Sequence, residues 1–273
     1  MRKAKSSSKP ISRKCLSLKL AAVALVCGLS SAFAAIPAKP IGAKTSVEAM
    51  IRSDLVSFRK EKRADFQSLV KKWERVYGSR SAPTLLAIAE DKKSPNTDRY
   101  VALLAHTRIR GPHDAKELVA LLDDRDWMVR SAALKSIEIL GYAPAGAKVL
   151  DKLANDRALV IRLQSIETLE KLRPPGTPDA LLKAAMDGKN YRPGNFRKGR
   201  ADWVPQRALA ALRELRPLGY APRLLPLMNE SKDGRIRAHA LHTIEILESK
   251  SLKQGRPFRE RAAAWTATLQ ASR

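Results

Sequence analysis

The stretch VRSAALKSIEIL, residues 129–140, puts apolar side chains at its first, fifth, sixth, ninth and twelfth positions. Those positions lie on one face of an α-helix. The pattern recurs as IRLQSIETLEKL (161–172), VPQRALAALREL (204–215) and IRAHALHTIEIL (236–247), with a weaker copy, DRYVALLAHTRI, at 98–109. The copies begin at 98, 129, 161, 204 and 236, so the steps are 31, 32, 43 and 32 residues. A shorter segment precedes each one: TLLAIAED (84–91), ELVALLDD (117–124), VLDKLAND (149–156), ALLKAAMD (180–187) and RLLPLMNE (223–230). Each is apolar early and ends in an acid. The unit is therefore helix A, turn, helix B, repeated five times between about Ala82 and Ser249. Gly111-Pro112, Gly141, Pro174-Pro175-Gly176 and Gly219 punctuate the ends of the B helices.

The acid that closes helix A and the V/I-R that opens helix B, as in Asp124…Val129-Arg130, Asp156…Ile161-Arg162 and Glu230…Ile236-Arg237, resemble the HEAT repeat family in its short bacterial form, over about residues 82–249. The resemblance implies an all-α, right-handed α-solenoid of five helical hairpins whose B helices line the concave side. It also implies a structural ladder in which Asp124, Asp156 and Glu230 bond along the stack with Arg130, Arg162 and Arg237, with Arg99 as a further member. The fourth copy carries Pro205 where the arginine should stand. Proline is tolerated in a first helical turn, but the ladder is expected to break there.

Stacked repeats bury their apolar faces against one another and need caps at both ends. Residues 45–81 read as one long or two shorter capping helices. Thr45 and Glu48 stand at capping-box spacing, and Ile51, Leu55, Val70, Trp73 and Tyr77 fall at helical intervals. Residues 250–273 read as the closing helix, with Phe258, Trp265 and Leu269 on one face.

Residues 1–34 read as an export signal. Seven Lys/Arg precede the apolar run Leu20–Ala34, which ends in Ala32-Phe33-Ala34 and predicts cleavage between Ala34 and Ala35. The run is short for a membrane span. An uncleaved signal would instead keep the chain at the membrane. Residues 35–44 read as a flexible lead-in. The expected location is periplasmic or secreted. Cys15 and Cys27 both lie in the signal, so the mature chain has no disulfide or thiolate chemistry. Removing the seven cations lowers the net charge from +25 to +18. That balance favours polyanionic partners or serves only solubility.

The distance from the first leucine of helix A to the start of helix B is 13, 11, 11 and 12 residues in four repeats, and 23 in the fourth. About eleven residues are thus added to this turn, within GKNYRPGNFRKGRADW, residues 188–203. Insertions in repeat proteins map to loops on one face, often the binding face. Lys189, Arg192, Arg197, Lys198 and Arg200 suit carboxylate or phosphate. Tyr191, Phe196 and Trp203 suit stacking or insertion into a pocket. The competing account is a tolerated surface insertion whose aromatics pack on their own solenoid. It applies most readily to Trp203, which abuts helix B.

No nucleophile–base pair, phosphate loop or isolated carboxylate pair is present. His239 and His242, at i and i+3, lack a third ligand beyond Glu245, so no metal and no cofactor is expected. His106 occupies a core register and His113 a turn. The expected function is a non-catalytic exported scaffold that binds a protein, acidic in character, or an anionic envelope component through the concave face and the 188–203 loop. A nucleic-acid-binding protein of the DNA-repair glycosylase type is the alternative. The signal argues against it, as do Glu138, Glu167, Glu170 and Glu245 on the B helices, which would repel phosphates. A role in lyase or phycobilin chemistry rests on the resemblance alone.

Overall fold

The apolar stripes of the sequence each become a helix in the computed structural model, which describes residues 46–62 and 65–271. The export segment, the lead-in and Thr45 lie outside the described residues. Two capping helices come first, α1 (Val47–Lys60) and α2 (Phe66–Tyr77). Five hairpins follow: α3 (Ala82–Glu90) with α4 (Asn96–Arg110), α5 (Ala115–Ala120) with α6 (Trp127–Leu140), α7 (Gly146–Asn155) with α8 (Leu159–Leu172), α9 (Thr177–Met186) with α10 (Trp203–Leu215), and α11 (Leu225–Glu230) with α12 (Gly234–Leu247). The last helix is α13 (Phe258–Ala271). The fold is an all-α solenoid.

Local chemistry sets the boundaries. Three of the long B helices start on an aspartate whose carboxylate accepts a first-turn backbone N–H: Asp126 from Met128, Asp202 from Val204 and Asp233 from Arg235. The capping residue of α1 is Ser46, whose hydroxyl accepts from Ala49 at 3.2 Å. Glu48, expected to close a capping box, instead pairs with Arg52 one turn on. Helices α8 and α10 stop at Arg173 and Arg216, left-handed residues directly before a proline. A residue before proline is pushed out of the right-handed helical region, which ends the helix there.

The same positions of each B helix are buried in turn: Val129, Leu134 and Ile137, then Ile161, Ile166 and Leu169, then Val204, Leu209 and Leu212, then Ile236, Leu241 and Ile244. Full burial of such a side chain is worth about 1.5–3 kcal/mol, and each repeat obtains it only against its neighbours. The B helices approach one another closely in an unbroken series from α4 to α12, whereas the A helices stand farther apart. The B helices therefore form the tighter, inner wall. Ile51, Leu55, Val70 and Trp73 of the capping helices close one end against Leu85, Ile88 and Val101. Trp265 and Leu269 of α13 join the main core at the other end.

The insertion is built as a short hairpin, a feature the sequence reading did not anticipate. Strand β1 (Tyr191–Arg192) pairs antiparallel with β2 (Arg200–Ala201), so that Tyr191 faces Ala201 and Arg192 faces Arg200. Gly199 permits the closure: a Cβ there would stand 2.3 Å from the Pro193 carbonyl oxygen.

Candidate interaction surface

Beneath the surface runs the ladder. Arg99 grips the Asp124 carboxylate with both terminal nitrogens and donates its Nε–H to the Ala89 carbonyl at 2.8 Å. Arg130 donates from Nε and Nη2 to the two Asp156 oxygens, each at 2.8 Å. Its remaining donor serves the carbonyls of Asp124 and Arg125. Arg99, Arg130 and Asp156 are buried, and the Asp124 carboxylate is nearly so. A buried arginine is tolerated when its planar fork is fully paired in this way. Burial raises the Asp124 carboxyl, and the hydrogen bonds from Arg99 and the Asp126 backbone N–H outweigh that and hold it below its ordinary range.

The third rung changes partner. Arg162 keeps its bond to the Asp156 carbonyl at 3.0 Å, but its Nε–H goes to Asn190 of the insertion, and Asp202 lies 3.6 Å from Nη2. The fourth rung is missing. Pro205 supplies no donor, and the residue six before the next arginine, where Asp124 precedes Arg130 and Asp156 precedes Arg162, is Ser231. The expected pairing of Glu230 with Arg237 does not form. Glu230 is exposed and pairs with Arg197 of the insertion. Arg237 lies over the Phe258 ring, 5.6 Å from its centre.

The insertion fills the gap. Asn190 is fully buried, donates to the Ala184 carbonyl at 2.9 Å and accepts the Asp202 backbone N–H. The Tyr191 hydroxyl, pushed well above its ordinary range by burial, donates to the Ala185 carbonyl. Phe196 is buried with its ring 6.3 Å from that of Tyr191. The fifth repeat is held from the same hairpin: Lys232 donates its backbone N–H to the Phe196 carbonyl and Asp233 accepts the Ala201 backbone N–H at 3.0 Å.

This arrangement sorts the eight candidate residues. Tyr191 and Phe196 face inward and are corrected to structural roles, because they fill the seam between repeats. Lys189 pairs with Asp187 and the Ala154 carbonyl, and Arg197 pairs with Glu230 while covering Phe196. Arg192, Lys198 and Arg200 are exposed and have no side-chain partner among the described residues. Trp203, the aromatic expected to pack, is 67% exposed. It stands in the first turn of α10, ahead of the residues that face the core.

Trp203 walls a mostly apolar cleft of about 380 Å³ between α8 and α10, with Leu163, Gln206, Arg207, Ala210 and Glu167 as its other lining. Val160, at the equivalent position of α8, is also exposed, as is Trp127 at the start of α6. Sequence reasoning missed this row. The signal lies one or two residues before the first buried apolar residue of α6, α8 and α10, a register that points away from the core. The acids of the inner wall also differ from expectation. Glu138 pairs with Lys135, Glu170 with Arg207, and Glu245 is buried against Arg261. Glu167, whose charge is felt by Lys135, forms no ion pair among the described residues.

His106 is buried, with Nδ1 2.9 Å from the Ala82 carbonyl. Burial, and after it the Arg213 and His242 charges, hold the His239 imidazole below its ordinary value. No group of three or more metal-capable side chains occurs among the described residues, and no described helix is long and apolar enough to cross a membrane.

Residues 82–170 match the family model for HEAT repeats. No curated protein matches the sequence. The matched segment covers the first three hairpins almost to the end of α8, and repeats of this kind generally serve as non-catalytic scaffolds for protein–protein interaction.

Proposed function

We propose that the mature chain, from Ala35, is exported and acts as a non-catalytic scaffold that holds a partner protein against the cleft between α8 and α10. One observation carries the reading. A tryptophan 67% exposed borders an apolar cleft in a chain whose loop aromatics are otherwise used internally. Tryptophan is a frequent anchor of protein interfaces, because it contributes large apolar area from a rigid side chain. The basic, acid-free segment at residues 1–19 and the apolar run behind it support export. The overall positive charge favours a partner with negative charge.

The test is a crosslinked pull-down from cell-envelope extract at low and high salt, with the mature protein and its Trp203→Ala variant as baits. The exposed position makes the substitution nearly neutral for folding. The expected result is a discrete protein kept at high salt by the parent and lost by the variant. Equal, salt-labile capture by both baits would show that charge alone does the binding and would reject the reading.

A further inference from the structure

Arg192 and Arg200 are direct cross-strand partners in the insertion hairpin. Residues so placed hold their Cβ atoms about 4.5–5.5 Å apart, and like charges there are destabilising. Both side chains are exposed, and neither has a hydrogen-bond or ion-pair partner among the described residues. The acid nearest in the chain, Asp202, feels the Arg192 charge without forming an ion pair with it, and its oxygens are already engaged: it caps α10 through Val204 and lies against Arg162. Lys198 and Lys232, also exposed and without a partner, add to the unbalanced positive charge. The seam needs the hairpin for Tyr191, Phe196 and the backbone of Ala201, and none of those contacts calls for two opposed guanidinium groups.

From these observations we infer that Arg192 and Arg200 form a clamp for an acidic side chain of the partner, next to an apolar residue that enters the Trp203 cleft. The inference rests on the scaffold reading and names the chemistry of the partner at that site. Arginine pairs with carboxylate through two parallel bonds, so two neighbouring guanidiniums present a fitted site for one acid or a pair of acids. Only Ala201 and Asp202 separate Arg200 from Trp203, so their Cα atoms stand at most about 11 Å apart, a span that a short extended peptide covers. Glu167 lies on the lining of the same cleft and forms no ion pair among the described residues. It repels a uniform polyanion that runs through the cleft, whereas a segment whose charge is confined to one end avoids it. The favoured ligand is thus an acidic-then-apolar stretch of protein, and not a nucleic acid or polyphosphate.

Selection of a display library of random linear peptides against the full chain tests this. The enriched sequences are expected to place one or two Asp/Glu beside Trp, Phe or Leu. A synthetic copy, followed by fluorescence anisotropy, is expected to lose about tenfold or more in affinity with Arg192→Gln or Arg200→Gln, the scale of a lost charge-assisted pair, and a comparable amount with Trp203→Ala. Because the free hairpin carries like-charge repulsion, Arg192→Gln is also expected to melt no lower than the parent. Enriched peptides without acids, no enrichment at all, or affinity indifferent to the arginine variants overturns the clamp. So does inorganic polyphosphate, or a phosphatidylglycerol vesicle, that binds as tightly as the peptide and ignores Trp203→Ala. The two readings fail separately. Peptide binding lost with Trp203→Ala but not with the arginine variants removes the clamp and leaves the scaffold. Peptide binding with the expected pattern, combined with no envelope protein captured by the bait, removes the scaffold reading and leaves the clamp.

Discussion

The junction between the second and third repeats and the junction between the fourth and fifth do the same work by different means. At the first, one side chain, Arg130, satisfies an acid and two carbonyls of the adjoining turns. At the second, Pro205 and Ser231 leave both halves of that pair out, and the insertion hairpin, anchored on its own repeat by Asn190 and Tyr191, spans the space through Phe196 to Lys232, Ala201 to Asp233 and Arg197 to Glu230. The side-chain solution is compact and hides all its polar groups. The hairpin solution leaves an outer surface, and the exposed cations Arg192, Lys198 and Arg200, which form no ion pair among the described residues, stand on it. A local defect in a structural ladder thus coincides with the surface proposed above for a partner.

That comparison breaks most sharply at the arginines. Arg130→Ala leaves Asp156 buried without its cation, held only by the Ala158 backbone N–H, and removal of one member of a buried ion pair costs about 3–5 kcal/mol. Arg237→Ala, at the formally equivalent position, loses only the packing over Phe258, about 1 kcal/mol or less. Denaturant unfolding measures both, and equal losses would mean that the two junctions are not different in kind. Phe196→Ala tests the other side. Its ring is 8% exposed, and its removal is expected to cost about 3 kcal/mol, at the lower end for a buried aromatic. A loss within about 0.5 kcal/mol, the range of ordinary surface changes, would return the insertion to a passive loop.

The smallest effect is one of pH. The His239 imidazole is held below its ordinary 6.5 by burial first, then by the Arg213, His242 and Arg235 charges, with Asp233 opposing. Both folded and unfolded chains carry it neutral above that value. As the pH falls past about 6.5 the unfolded chain takes up the proton first, so this residue's contribution to stability is lost between 6.5 and the lower folded pKa. His239→Gln is expected to flatten that part of the stability profile. A profile unchanged by the substitution would show that the imidazole meets no such penalty.

Much of the architecture is legible in the sequence because a period of about 32 residues repeats the same buried positions, and repetition averages out local ambiguity. The position of the insertion follows from the same count. Its interior was not legible. Two-residue strands are too short to show alternation, and whether Tyr191, Phe196 or Trp203 turns inward depends on contacts with the next repeat. One miss was avoidable. Counting six residues back from Arg130 and Arg162 gives Asp124 and Asp156, and the same count from Arg237 gives Ser231, whereas the conspicuous acid next to it, Glu230, drew the assignment.

Native-state hydrogen exchange of the Phe196→Ala protein tests the central claim most directly, because it reports stability segment by segment. If the hairpin replaces the missing rung, the amides of α11, α12 and α13 lose protection while those of α4, α6 and α8 keep it. Unchanged protection throughout, or a uniform loss along the whole solenoid, would contradict the account.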